Sequence, residues 1–114
     1  MDPLAGRTIK WVFDDGPMAG VNIEHAFHED GGVTWTLIDG EYKGASAREK
    51  AYAAVQVSER VWAVSYLAAS GHTLTVVLNL DDGRLYGFGS SEKSWEAMRG
   101  RFELHAPTLS NQAG

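Results

Sequence analysis

Short runs of β-forming residues, each cut off by a cluster of Asp, Gly or Ser, recur along almost the whole chain. Thr8 to Phe13 stops at Asp14-Asp15-Gly16-Pro17, and Val21 to His28 stops at Glu29-Asp30-Gly31-Gly32. Val33 to Ile38 then makes the second arm of a hairpin. Val61 to Ala68, Thr73 to Leu80, Leu85 to Gly89 and Arg101 to His105 continue the series, with turns at Ser70-Gly71-His72 and Asp81-Asp82-Gly83. Strand-length runs with turns at this spacing build an antiparallel sandwich or barrel. Glycines inside Leu85 to Gly89 suit a strand that bends around a barrel.

Two stretches read less simply. Ala45 to Ala53 carries good helix formers, but a strand also fits, with Ala51, Ala53, Val55 and Val57 on one face. The strand is preferred for the second half, because Val55-Gln56-Val57 runs straight into a turn at Ser58-Glu59-Arg60. Ser91 to Met98, which carries Trp95, reads as a helical turn or a loop. The expected fold class is all-β: a small antiparallel up-and-down barrel of about eight strands. Residues 1–106 form its single domain, and 107–114 form a loose tail.

Composition excludes several function classes. A chain of 114 residues can bury a core without help from metals or disulfides. It has no cysteine, which removes disulfides, thiolate chemistry and Cys-based zinc sites. A formal net charge of -5 argues against a nucleic-acid partner, which needs clustered Lys and Arg. No apolar run reaches membrane-span length, so no membrane partner is expected. The N-terminus lacks the basic and apolar segments of a secretory signal, so the expected address is cytoplasmic.

The aspartates at the turns are read as turn formers, since Asp hydrogen-bonds nearby backbone there. His25 and His28 fall on opposite faces of one strand and cannot chelate one ion, so no metal and no cofactor are expected. His25 shares a face with Val21, Ile23 and Phe27. It is either a satisfied core histidine or a polar anchor and acid–base group in a pocket. Large rings occur on several strands: Trp11, Phe13, Phe27, Trp35, Trp62 and Tyr66. They read as a plain core or as the lining of a cavity for a flat apolar ligand. Val33, Trp35 and Leu37 share one parity and should point inward.

Four segments taken together are similar to the MoaF family: FDDGPMAG, IEHAFHEDGGVTW, VWAVSYLAASGHTLTVVLNLDDGRLYGF and SSEKSW. The resemblance runs from Trp11 to Phe102. It implies a calycin-type, lipocalin-like barrel and, by the family's name, a link to molybdenum cofactor biosynthesis. A more distant likeness is to phenolic acid decarboxylases, which use the same type of barrel. Their paired tyrosines would fall near Trp11 and Phe13, and their interior glutamate near Ala68. Their arginine has no clear counterpart, Arg48 being nearest. The resemblance therefore implies the decarboxylase scaffold without its catalytic set.

Three functions are expected from these readings. The first is a binding protein holding a small apolar or aromatic ligand among Trp11, Phe13, Ile23, His25, Phe27, Trp35, Trp62 and Tyr66. The alternative is a lyase, isomerase or hydratase on an aromatic or pterin-like substrate, with His25 as acid–base and Tyr66 and Glu24 in support. The third is a homodimeric assembly or regulatory subunit, with Leu67 and Val77 as candidate interface residues.

Overall fold

Alternating burial builds the sheet. In the computed structural model, which describes residues 3–105, every second residue of β1 (Thr8–Phe13) is buried: Ile9, Trp11 and Phe13. In β2 (Asn22–Phe27) the buried set is Ile23, His25 and Phe27. Such alternation is the mark of a strand with one face on a core. The remaining strands are β3 (Val33–Leu37), β4 (Ser46–Glu49), β5 (Tyr52–Ser58), β6 (Val61–Leu67), β7 (Thr73–Asn79), β8 (Arg84–Ser90) and β9 (Trp95–His105). Among the described residues no helix is long and apolar enough to cross a membrane. The expected tail at 107–114 lies outside the described residues.

The nine strands form one antiparallel sheet in the order β4-β3-β2-β1-β9-β8-β7-β6-β5. Every sequence neighbour is a spatial neighbour except β4 and β5, and β9 closes back onto β1. This is an up-and-down barrel left open along a seam between β4 and β5. The strand count rises from about eight to nine through one added strand, and a second strand is longer than expected. Residues 46–49 form a separate short strand paired with β3, so the helical reading of 45–53 does not hold. Residues 95–98, expected as helical turn or loop, form the start of β9 instead, where Trp95 pairs with Ser90 and Met98 with Gly87. Pairing along the whole of β8 outweighs the local preference of a short polar stretch.

The seam is bridged without strand pairing. Tyr52 N–H donates to the Gly31 carbonyl at 3.0 Å, tying the start of β5 to the β2–β3 turn. Glu49, the last residue of β4, accepts from the Ala69 backbone N–H at 2.9 Å in the β6–β7 turn. The tight curl also needs glycine. A Cβ at Gly100 would overlap the Val12 carbonyl oxygen, and one at Gly87 the Thr75 carbonyl oxygen. Both glycines therefore permit close backbone approach where the sheet bends.

The inward side chains fill one part of the barrel completely. Ile9, Trp11, Phe27, Val33, Val76, Leu78 and Leu85 are all buried to within 2 %. Each such side chain contributes about 1.5–3 kcal/mol of transfer free energy.

Candidate functional site

Beyond that packed region the barrel interior opens into a cavity of about 380 Å³. Its wall includes Phe13, Ile23, His25, Trp35, Tyr66 and Met98. Its mouth is bordered by Met18 of the β1–β2 connection, by His72 ahead of β7 and by Ser91 and Ser94 between β8 and β9. The ends of several strands thus supply the wall, and their connections supply the rim.

The expected ring set divides in two. Phe13, Ile23, His25, Trp35 and Tyr66 line the cavity, with Trp35 facing inward beside Val33 and Leu37. Trp11, Phe27 and Trp62 do not; they belong to the packed core beyond it. Trp11 instead backs the site, stacking on the His25 ring at 3.9 Å between centroids. Phe27 meets Tyr52 edge-on at 4.8 Å. Glu24 sits on the opposite face of β2 from His25, so the sheet separates the two and Glu24 is not in the wall. Strand alternation makes this unavoidable for adjacent residues.

At the base of the wall His25 is only 1 % exposed. Its Nε2 lies 2.8 Å from the Tyr66 hydroxyl across the barrel. Burial pulls the imidazole down to about 3. Burial first, and the Glu49 carboxyl second, push the Tyr66 hydroxyl above its ordinary range. At neutral pH both members are therefore uncharged. His25 Nδ1 is buried with no hydrogen-bond partner. If Nε2 accepts from Tyr66, Nδ1 carries a leftover N–H; if Nε2–H donates, the Tyr66 O–H is left over. In either tautomer at least one hydrogen-bonding position of the pair is unused, and buried polar groups rarely stay so.

Sequence reasoning missed Glu49. It is 4 % exposed, and its two carboxyl oxygens accept from Trp35 Nε1 and Ala69 N–H, each at 2.9 Å. Full pairing by N–H donors is the condition under which a buried carboxyl is tolerated. The decarboxylase likeness put an interior glutamate near Ala68 and found none. The Glu49 carboxyl reaches the neighbouring Ala69 backbone from a different strand, β4. In the sequence Glu49 stands in the charged run Arg48-Glu49-Lys50, which gives no sign of burial.

Comparison with known proteins agrees with this architecture. The family model described as the MoaF N-terminal domain matches residues 1–93. A crystal structure from Burkholderia vietnamiensis, with a provisional description as a beta-lactamase, superimposes with a TM-score of 0.75 at 21% sequence identity. The match covers 90% of this chain and 96% of that one, a likeness of fold alone. No curated protein matches the chain in sequence.

Proposed function

The chain belongs to the MoaF family, and from that premise we propose that it is a binding protein that holds a small apolar or aromatic molecule inside the barrel. One observation carries the reading. A cavity of about 380 Å³ walled by Phe13, Trp35 and Tyr66 ends on a His25–Tyr66 pair with an unused hydrogen-bonding position. Apolar walls with a few convergent polar groups are the usual form of a small-molecule site. The rings supply contact area and the pair orients the ligand. Tryptophan fluorescence and calorimetry with a panel of aromatic acids, alcohols, amines and pterins test it. Binding that is lost on narrowing the cavity with Ile23→Trp supports the proposal. A panel that neither binds nor raises the melting temperature refutes it.

A second reading is a lyase, isomerase or hydratase with His25 as acid–base. The His25–Tyr66 contact favours it, and magnitude ranks it second. General acid–base catalysis works best with a pKa near the operating pH, and burial leaves the imidazole at about 3. At pH 7 so weak a base takes up a proton poorly. Turnover abolished by His25→Gln, with the fold intact, would reverse this order.

Homodimer formation has its own observation. Val55, Val57, Leu67, Tyr86, Phe88 and Trp95 are exposed on the outer face of β5 to β9. Val55, Ala63, Val77 and Tyr86 follow one another across the paired strands as an apolar row on that face, which suits contact with a second copy.

A further inference from the structure

The cavity has a charge preference. Its wall contains no Lys or Arg, and among its lining residues the one carboxylate is Glu96. Glu96 lies opposite Gly89 in the β8–β9 ladder, so no side chain across the ladder screens it from the mouth. Ser91 and Ser94, whose hydroxyls lie 3.0 Å apart and hydrogen-bond each other, stand on the rim nearby. The connecting segment also carries Glu92 and Lys93, whose charges oppose each other and neither of which lines the cavity. At the inner end His25 and Tyr66 offer hydrogen bonds without charge, and Glu49 adds a second carboxyl behind Trp35. The chain as a whole has a formal net charge of -5.

A bound carboxylate would thus leave water for a wall with no Lys or Arg and a carboxylate, Glu96, at its mouth. Such a transfer is unfavourable without a partner charge. A cationic group held at the mouth keeps part of its hydration and gains attraction from Glu96. Building on the binding function proposed above, we infer that the site selects aromatic ligands with a protonated amine at the outer end and excludes the matching carboxylates.

Three isosteric probes test this: 2-naphthylethylamine, 2-naphthylethanol and 2-naphthylacetate. They are titrated by calorimetry at pH 8 and low salt, where free imidazole is neutral. The amine should bind at least about tenfold tighter than the acid, with the alcohol between them. Glu96→Gln should weaken the amine by about threefold and leave the alcohol unchanged, the size expected for an exposed charge pair. Salt should narrow the gap in the same direction. Acid binding as tight as amine binding overturns the charge preference while leaving the binding function standing. An amine preference that Glu96→Gln does not move overturns the role of Glu96. Failure of all three probes, the neutral alcohol included, overturns this inference, while the binding function is decided by the wider panel of aromatics and pterins.

Discussion

Acidification should destabilise the barrel through His25 before the carboxylates titrate. In the folded chain burial holds the imidazole at about 3, against an ordinary value near 6.5 in the unfolded chain. Below pH 6.5 the unfolded state therefore binds one more proton than the folded state, so stability falls as pH falls. The contribution is fully present above pH 6.5 and is lost progressively toward pH 3. Each pH unit in that window costs about 1.4 kcal/mol, so going from pH 7 to pH 4.5 should cost about 2–3 kcal/mol. Asp15, Asp30 and Asp39 are held low by hydrogen bonds, chiefly from the Arg99 backbone, the Gly32 backbone and the Asn22 side chain. Their stabilisation disappears only below about pH 4, outside the window. Urea melts at half-unit steps from pH 7 to 4.5 measure the slope. His25→Gln keeps a hydrogen-bonding side chain opposite Tyr66 and should flatten it. A flat wild-type profile, or an equal slope in the variant, would show that His25 is not held neutral by burial.

Further outcomes can be measured on single variants. Glu49→Ala leaves Trp35 Nε1 and Ala69 N–H unpaired and should cost about 2–4 kcal/mol in urea melts. Trp35→Phe keeps a ring in the wall but removes one donor to Glu49, and should cost about 1–2 kcal/mol by the same assay. Gly100→Ala drives a Cβ against the Val12 carbonyl and should cost about 3 kcal/mol, read as a lower urea midpoint. Light scattering should give a dimer mass, and Leu67→Glu combined with Phe88→Glu should reduce it to a monomer without changing the circular dichroism spectrum.

The strands were legible wherever alternation and turn chemistry agreed. β1 runs Thr8–Phe13 as the residues suggest, and the Ile23, His25, Phe27 face of β2 follows from parity alone. The β2–β3 turn behaves as its composition implies, with Asp30 accepting from the Gly32 N–H at 2.9 Å. What the sequence hides is lateral. The split of the rings between cavity wall and packed core depends on depth along the barrel, which parity does not encode. Trp11 and Phe13 share a face, yet Phe13 meets the cavity and Trp11 the back of His25. The seam is hidden for a similar reason. Lys50 and Ala51 alone separate β4 from β5, and only the sheet's stagger brings Glu49 to Ala69 instead of to a hairpin partner.

That stagger joins two properties at one residue. Glu49 fastens β4 to the β6–β7 turn across the open seam, and the same carboxyl fixes the indole of Trp35, which is part of the cavity wall. It also acts on Tyr66, whose hydroxyl is His25's partner. Seam, indole and polar pair therefore share one buried group. A seam without strand pairing is the weakest line in a barrel, because no backbone ladder holds it. A ligand packed against Trp35 and hydrogen-bonded to the His25–Tyr66 pair would restrain both neighbours of Glu49. Its binding free energy should then appear as added stability at the seam. Amide exchange at Ala69 and Tyr52, whose N–H groups bridge the gap, is where that added protection would be greatest.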